Sequence, residues 1–431
     1  MKLLCFVFVF VANILLLAEP LNIKVSASSA ILINAKTGAI LYEKKAHDSS
    51  YPASLTKIAT CLYAIKNHHE HLDAKISCPH HCLRKMHKHI KIAHHYQDPA
   101  YFLEPDGTHF WIRQGEKVIF RDLLYGMMLI SGNDAANYVA YHIGGTIPEF
   151  MKGMNHYLKE IGCKNTHFMN PHGLHHPQHV TTAYDLALIT KEALKEKLIC
   201  QIASTKQYER RKTNLQPAQI IYQHNSLLKT GKFFYPQAMG MKTGYTKDAG
   251  YCFSSVACNG ERILIAILLG EKDSSTRFFD AIRLFEAAFN EKKQQRFLFK
   301  KEENIFKKKM KKSRHLLQAA LKEDVNFSYY PSEEPSVSIE LKWKELSLPI
   351  KKESDVGVMH ILNSQGDVVG TFSLIATQEV KKSHLAMFWD VMQGKGEFLS
   401  TLSLTFKIFF VLGIITCLCG IYHIYHFTIK R

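Results

Sequence analysis

Three features are missing from this sequence: an internal repeat, a nucleic-acid-binding motif and a regular cysteine framework. The first absence argues against a repeat architecture. Without a nucleic-acid motif, the net charge of +17 points instead to an acidic lipid surface or an anionic wall polymer. Charged residues make up 22% and apolar residues 46% of the 431 positions, which excludes bulk disorder and leaves room for two or three domains.

The cysteines show no framework spacing. Of the ten, Cys5 lies near the amino terminus and Cys417 and Cys419 lie near the carboxyl terminus. The remaining seven are Cys61, Cys78, Cys82, Cys163, Cys200, Cys252 and Cys258. An odd number leaves at least one thiol unpaired, so disulfides stay open.

The amino terminus has the pattern of a secretory signal. Lys2 precedes an apolar run from Leu3 to Leu17, and the small residue Ala18 precedes a polar one. This order predicts a signal peptide over residues 1–18, with Ala27 as a second cleavage position and an uncleaved anchor as the alternative.

The carboxyl terminus carries a second apolar segment. Residues 408–429 contain no Asp, Glu, Lys or Arg and are bracketed by Lys407 and Lys430-Arg431. That length suffices for one helix across a bilayer. The two termini together predict an exported body, a transmembrane helix over 408–429 and a very short cytoplasmic tail.

Much of the positive charge lies in one run from Lys300 to Lys312. Two interpretations stand side by side: a solvated basic helix face, or a surface that binds acidic lipid.

Hydrophobic periodicity gives an order of elements. Residues 30–42 predict a β-hairpin, and Pro52-Ala53-Ser54 opens a helical pattern. Segments 121–142, 148–161 and 182–198 predict helices, 250–257 and 262–269 predict strands, and 276–289 predicts a closing helix. Strands, then helices, then strands and a last helix indicate an α/β sandwich with a helical lobe over residues 28–290. Short alternating segments then predict a small all-β domain over 291–395.

Three short motifs carry the chemistry: Ser54-Leu55-Thr56-Lys57, Ser131-Gly132-Asn133 and Lys242-Thr243-Gly244. At a helix start, Ser and Lys three residues apart share one face, so the amine can reach the hydroxyl. A serine hydroxyl needs an adjacent base, and a lysine is a base only when burial and positive charge lower its pKa. Lys242 is a candidate source of that charge.

Each motif alone is weak, because Lys-Thr-Gly also occurs at 36–38 and 229–231 and Ser-x-x-Lys also occurs at 226–229. The first extra Lys-Thr-Gly is the predicted hairpin turn, and the second adjoins its own Ser-x-x-Lys with no room for a middle motif. Only the set beginning at 54, 131 and 242 has each motif beside a suitable element. The structural alternatives are a helix-start Ser54 with a solvated Lys57, and Ser131 as a helix N-cap.

The trio resembles that of penicillin-binding proteins and β-lactamases. The segments Tyr51–Lys57, Phe168–Leu174, His179–Ile189 and Gly240–Tyr251 are further similar to low-molecular-mass D-alanyl-D-alanine carboxypeptidases. The resemblance covers about residues 28–290, and 348–352 and 368–370 resemble the family's carboxy-terminal domain more loosely. It implies a penicillin-binding-protein/β-lactamase-like α/β fold with a helical lobe, followed by the small all-β domain.

The resemblance also implies roles for individual residues. Ser54 would be the nucleophile, Lys57 its base and Ser131 the proton relay to the leaving D-alanine. The substrate-binding set would be Asn133, Lys242, Thr243, Gly244 and Tyr245. Among these, Asn133 would hold the acyl-side amide, Lys242 and Thr243 would bind the terminal carboxylate, and the N–H groups of Ser54 and Tyr245 would form the oxyanion hole. Many members carry His at the position of Tyr245, so this change is expected to tune substrate choice.

Between the first two motifs lies a histidine-rich insertion, which looks longer than the family's segment. Ten of the 24 histidines fall between His68 and His109, together with Cys78 and Cys82. Cys and His at short spacing can bind zinc, but no standard finger spacing is met. We therefore expect no metal or cofactor and an exposed, variable loop, with a metal site as the minority alternative.

The resemblance implies a serine-type, penicillin-sensitive D-Ala-D-Ala carboxypeptidase that trims peptidoglycan stem peptides through an acyl-enzyme. Its partners would be stem peptides ending in D-Ala-D-Ala, β-lactams as inhibitors and the membrane, with no nucleic acid. The alternatives are a D,D-endopeptidase, or a penicillin-binding or metal-binding envelope protein without turnover. A β-lactamase is disfavoured because no family-like deacylating glutamate motif is found. The expected location is the outer, periplasmic face of the bacterial inner membrane.

Overall fold

The computed structural model describes residues 12–14, 18–67, 72–333, 337–363, 366–393, 412–413 and 415–416. The chain divides into two compact units. The first comprises Leu17–Gln294 and Tyr330–Glu334, and the second comprises Met1–Leu16, Gln295–Tyr329 and Pro335–Arg431.

The first unit is built on a five-stranded antiparallel sheet. Strands are numbered in chain order, and β1 (Ala12–Ile14) belongs to the second unit. The first strands of the first unit are β2 (Ser29–Asn34), β3 (Ile40–Lys44), β4 (Lys75–Ile76) and β5 (Val118–Ile119). The others of this unit are β6 (Gln207–Arg210), β7 (Gln219–Tyr222), β8 (Ala238–Thr246), β9 (Gly250–Cys258) and β10 (Ile263–Glu271). The strand order in the main sheet is β3-β2-β10-β9-β8, and β4-β5 and β6-β7 form two small pairs. The predicted hairpin is confirmed, with Ala30 paired to Lys44 and the turn closed by a bond from Gly38 N–H to Asn34 O.

Eight helices of this unit lie in the described residues. They are α1 (Thr56–Asn67), α2 (Lys88–Ala93), α3 (Phe120–Leu129), α4 (Asn133–Gly144), α5 (Ile147–Glu160), α6 (Ala183–Ala193), α7 (Lys197–Ser204) and α8 (Thr276–Phe289). The single helix predicted over 121–142 is wrong, because Ser131 takes the left-handed conformation at φ 66° and breaks it into α3 and α4. The helix predicted over 182–198 is likewise two helices, since Glu196 is extended between α6 and α7.

The sheet is buried on both faces, as an α/β sandwich requires. Side chains alternate along β10. Ile265 and Ile267 pack into the large cluster that contains the residues of α1, α3 and α4. Leu264, Ala266 and Leu268 pack into a second cluster with Phe278 and Phe285 of α8. The helical lobe and α8 therefore cover opposite faces of one sheet.

The second unit is mostly β-structure, as predicted for the small carboxy-terminal domain. Its elements are β11 (Gln294–Phe299), β12 (Phe306–Lys309), β13 (Leu316–Leu321), β14 (Val325–Tyr329), β15 (Val337–Trp343), β16 (Asp355–Leu362), β17 (Val368–Ala376) and α9 (His384–Met392). One sheet has the order β1-β15-β16-β17-β13-β12, and β11 pairs with β14. The alternating residues Ile339, Leu341, Met359 and Ile361 form part of its core.

The basic run does not form a helix. Residues 301–303 lie in a turn and Phe306–Lys309 form strand β12, with Lys307 and Lys309 exposed. The interpretation as a basic helix face is therefore wrong.

The two apolar termini fall largely outside the described residues. Only 12–14 and 18 of the predicted signal peptide, and 412–413 and 415–416 of the predicted membrane segment, are described. Within the part of the chain that the structure describes, no helix is both long enough and apolar enough to span a bilayer.

Candidate active site

Ser54 lies in a 3₁₀ turn, Ala53–Leu55, immediately before α1. Ala53 adopts φ 48°, which turns the chain sharply into the helix. Gly173 packs directly beneath, because a Cβ at this position would lie 1.9 Å from Ala53 O. The Thr56 hydroxyl donates to the same carbonyl at 2.9 Å. A positive φ at a residue other than glycine persists only where the surrounding structure fixes it. The turn therefore holds Ser54 in a defined position.

Lys57 is fully buried, one turn after Ser54. Its Nζ lies 3.0 Å from Ser54 Oγ, 2.7 Å from Asn133 Oδ1 and 2.5 Å from His172 O. Burial, followed by the positive charge of Lys242, holds the pKa of Lys57 well below its usual range, and Asp134 opposes the shift. A neutral amine here donates its two N–H groups to the oxygens of Asn133 and His172. Its lone pair then faces the Ser54 hydroxyl, and a helix-start serine beside a solvated lysine is therefore wrong.

The middle motif is held by the insertion. Ser131 Oγ is buried and, among the described residues, has no hydrogen-bond partner. Helix α4 starts at Asn133 with Gly132 as its N-cap, so the interpretation of Ser131 as an N-cap is wrong. The Asp134 carboxylate accepts from Phe110 N at 2.6 Å and from Ile112 N at 3.0 Å. Asn133 N also donates to Thr108 O at 2.9 Å. The end of the insertion and the residues just after it therefore fix the start of the helix that presents Asn133 to Lys57.

The third motif lies on β8, an edge strand of the main sheet. Gly244 brings this strand against the serine, since a Cβ there would lie 3.0 Å from Ser54 N. Lys242 is buried and donates to Thr243 O at 3.0 Å. Burial and the charge of Arg277 lower the pKa of Lys242 to about 7. Tyr245 is about half exposed and stacks on Tyr251 with ring centroids 4.3 Å apart.

The rival motifs are placed elsewhere. Lys36-Thr37-Gly38 is the β2–β3 turn. Ser226 begins a separate 3₁₀ turn, and the Lys229 that follows it is exposed. The structure thus brings together the set at 54, 131 and 242 and leaves the rival motifs apart from it.

Sequence reasoning missed Arg277. This residue lies on α8, donates from Nη1 to Gly244 O at 3.1 Å and lowers the pKa of Lys242. Burial in turn lowers the pKa of Arg277 itself. No local motif marks the position, because only the packing of α8 against β9 and β10 brings the guanidinium there.

Two buried histidines support the serine turn and the loop beside it. Nδ1 of His179 accepts from Met169 N at 3.0 Å, so Nε2–H donates to the Thr56 hydroxyl at 2.8 Å. Nδ1 of His172 accepts from Leu174 N at 3.1 Å, so Nε2–H donates to Tyr101 O at 3.2 Å. Burial lowers the pKa of both imidazoles well below the usual range, which keeps them neutral. Both lie in segments that carry the family resemblance, but no role had been predicted for either.

The histidine-rich insertion contains a 3₁₀ turn, His80–Leu83, and helix α2, so it is more ordered than a plain loop, although most of its described histidines are exposed, as expected. Lys91 and Glu104 form a buried ion pair at 3.1 Å, and Lys91 also donates to Phe102 O at 2.7 Å. At its other side Lys88 pairs with Asp248, which follows β8. Across the described residues, no group of three or more His, Cys, Asp or Glu lies together as metal ligands would. His68, His69 and His71 lie outside the described residues.

A serine at a helix start, a buried lysine beside it and a second lysine on the adjacent edge strand define the penicillin-recognising class of serine acyl-enzymes. The comparisons give the particular family. A model described as D-alanyl-D-alanine carboxypeptidase matches residues 17–273, and one described as the C-terminal domain of penicillin-binding protein 5 matches residues 294–382. The chain belongs to the D-alanyl-D-alanine carboxypeptidase family.

Individual relatives agree with this assignment. D-alanyl-D-alanine carboxypeptidase DacF of Bacillus subtilis is 32% identical over 84% of this chain and 88% of its own length. DacD of Escherichia coli is 29% identical over 62% of this chain and 64% of its own. Among solved structures, the Streptomyces K15 DD-transpeptidase superposes with a TM-score of 0.53 at 27% identity, covering 62% of this chain and 98% of that one. DacD of Francisella tularensis, at 23% identity and a TM-score of 0.56 over 86% of this chain and 98% of its own, shows the shared fold.

Proposed function

We propose a residue-by-residue mechanism for the serine-type D-Ala-D-Ala carboxypeptidase reaction, the activity that goes with this family. The observation that carries it is Lys57: a fully buried amine with a lowered pKa, 3.0 Å from Ser54 Oγ. A base must lie within hydrogen-bond reach of the proton it removes and be unprotonated at working pH. Lys57 meets the first condition, and its lowered pKa favours the second.

The substrate binds along the free edge of β8. Its terminal carboxylate meets Lys242 and Thr243, and Arg277 adds positive charge behind them. The scissile carbonyl then lies over Ser54, with its oxygen between the N–H groups of Ser54 and Tyr245. The close approach of Gly244 to Ser54 N supports this placement, because a side chain at 244 would separate the two donors.

Acylation transfers one proton in a relay. Lys57 accepts the Ser54 proton as Oγ attacks the carbonyl carbon, and a tetrahedral oxyanion forms. Lys57 passes the proton through the Ser131 hydroxyl to the leaving nitrogen, and the C–N bond breaks to release D-alanine. The buried Ser131 Oγ has no partner in the described chain, which leaves it available to donate to that nitrogen. Water then hydrolyses the Ser54 ester by the reverse relay.

Penicillin follows the same path as far as the ester, since its strained amide mimics the D-Ala-D-Ala bond and the opened ring stays attached and hinders the deacylating water. The test is mass spectrometry of the purified protein lacking residues 408–431, incubated with a D-Ala-D-Ala pentapeptide and separately with penicillin. Loss of one D-alanine and a penicillin adduct on Ser54 are the expected results. An adduct on Ser226, or none, contradicts the assignment. Faster cleavage of a cross-linked dimer than of the pentapeptide would favour a D,D-endopeptidase. An adduct without peptide turnover would favour a binding protein.

We also propose that the enzyme acts outside the cell, on the outer, periplasmic face of the inner membrane, held by a helix over 408–429. The support is the sequence itself: an apolar run behind Lys2, and an apolar segment between Lys407 and Lys430-Arg431. The substrate also lies outside the cell, because stem peptides are part of the wall.

A further inference from the structure

Two thiols in the insertion take no part in the mechanism and lie near each other. Cys78 and Cys82 are 8% and 0% exposed. The neighbouring Cys82 thiol, followed by burial, raises the pKa of the Cys78 thiol. Seven described cysteines are free thiols in the structure, and these two belong to one short segment, Cys78-Pro79-His80-His81-Cys82.

The backbone between the two cysteines forms a tight turn. Pro79 precedes a 3₁₀ turn, His80–Leu83, and Cys82 N donates to Pro79 O at 3.1 Å. This turn returns the chain toward Cys78. A disulfide requires Cβ atoms about 3.5–4.5 Å apart, and a tight turn with one cysteine at each end is suited to that spacing.

Both cysteines also form hydrogen bonds to α4, the helix that presents Asn133 to the active site. The Cys78 thiol donates to Tyr138 O at 3.7 Å, and Asn137 Nδ2 donates to Cys82 O at 2.8 Å. Both partners belong to α4, whose first residue, Asn133, binds Lys57. A covalent link at this position would fix the start of the insertion beneath α4.

We propose that Cys78 and Cys82 form an intrachain disulfide in the mature protein. The oxidant is a disulfide, either small or carried by a thiol–disulfide exchange protein. One cysteine thiolate attacks it, which releases one thiolate of the oxidant and leaves a mixed disulfide. The second cysteine thiolate then attacks the cysteine sulfur of that mixed disulfide and displaces the oxidant's other thiolate, so that the two cysteines together lose two protons and two electrons. The oxidant is reduced to two thiols. Because buried thiols react slowly, the bond forms during folding and is protected afterwards.

Trypsin makes the test simple, because cleavage after Lys75 and Arg84 releases both cysteines in one peptide. The protein lacking residues 408–431 is refolded with a mixture of oxidised and reduced glutathione, which tests the bond independently of any export. It is then denatured and alkylated with iodoacetamide without reductant. We expect peptide 76–84 to be unalkylated and about 2 Da lighter than its reduced form, with the other five ectodomain thiols alkylated. The mass change is the two hydrogens lost in forming the bond.

Three single Cys→Ser variants test whether the mass loss comes from a bond between these two cysteines. Cys78→Ser and Cys82→Ser should each abolish the mass loss, whereas Cys163→Ser, at a buried thiol elsewhere, should retain it. The melting temperature of the oxidised wild type should exceed that of the reduced protein by about 2–5 °C, a modest gain because the closed loop is short, and the Cys78→Ser variant should show no such difference. A fully alkylated peptide 76–84, a bond from either cysteine to a third one, or equal melting temperatures would overturn the proposal.

Discussion

At the scale of single residues, the site depends on two lysines whose charges are set by their surroundings. Lys57 loses its water on burial and feels the charge of Lys242, so its neutral form is favoured. Burial and the charge of Arg277 lower the pKa of Lys242 to about 7. One amine can therefore act as a base while the other still provides positive charge near neutral pH.

Replacing the base should remove acylation without unfolding the protein. Lys57→Met keeps most of the buried volume but cannot accept a proton, so acylation by fluorescent penicillin should fall by about 10²–10⁴-fold. Lys229→Met, at the exposed lysine of the rival motif, should have almost no effect. Unchanged acylation in a folded Lys57→Met protein would exclude this lysine as the base.

The pH dependence of kcat/KM should show the loss of the proton from Lys242. The value of kcat/KM should rise as Lys57 loses its proton and fall again near pH 7, as Lys242 in the free enzyme loses the charge that binds the carboxylate. Arg277→Gln removes a positive neighbour and so raises the pKa of Lys242, which should move the alkaline limb to higher pH. Arg283→Gln, on the exposed side of α8, is the control. An alkaline limb that stays in place, or moves down, would contradict this electrostatic coupling.

At the scale of elements, the serine turn is held in place by the loop 168–174. Gly173 has φ 86° and leaves no space for a side chain against Ala53 O. Since the same loop supplies His172 O to Lys57, a displacement here would disturb both the nucleophile and its base.

A pair of glycine substitutions separates this contact from backbone strain. Gly260 has φ 91°, close to that of Gly173, but has no atom within 4 Å of its would-be Cβ. Gly260→Ala should cost about 1–2 kcal/mol in unfolding free energy and leave acylation unchanged. Gly173→Ala should cost more and lower the acylation rate at least about tenfold, in line with a misplaced catalytic group. Denaturant unfolding and penicillin kinetics on both variants measure this, and equal effects would show that the contact at Ala53 is unimportant.

At the scale of the whole molecule, the amino-terminal segment of the first unit bears on signal cleavage. Leu21 and Ile23 pack against the cluster around Phe253 and Phe285. The Lys44 ammonium donates to Ala27 O at 2.6 Å and to Val25 O at 3.0 Å. Cleavage after Ala27 would remove the packed residues, whereas cleavage after Ala18 would keep them.

We therefore expect the mature protein to begin at Glu19. N-terminal sequencing of protein isolated from a secreting host checks this, and a protein starting at Ser28 should unfold at a lower temperature. A mature chain beginning at Ser28 with full stability would show that the packed segment is dispensable.

The carboxyl terminus should decide attachment to the membrane. An apolar helix of this length inserts effectively irreversibly, whereas a basic surface binds weakly and is released by salt. Full-length protein should resist extraction by concentrated salt and require detergent, and deletion of 408–431 should give a soluble protein that still binds penicillin. Release of the intact protein by salt alone would assign the attachment to the basic run. A truncated form that stays on the membrane would assign it to that run or to an uncleaved amino terminus.

The sequence by itself determined the α/β architecture, the small β domain and the choice of motifs, because those features depend on local periodicity and on short-range order along the chain. Ser54 and Lys57 could be paired from the sequence since three residues span less than one helical turn. The break at Ser131 could not, because the start of α4 is held by contacts from Phe110 and Ile112, which lie well before it along the chain. Only the tertiary structure decided the position of Arg277, the packing of the insertion and the proximity of Cys78 to Cys82. In each case burial, charge or a hydrogen bond acts between groups that only folding brings together.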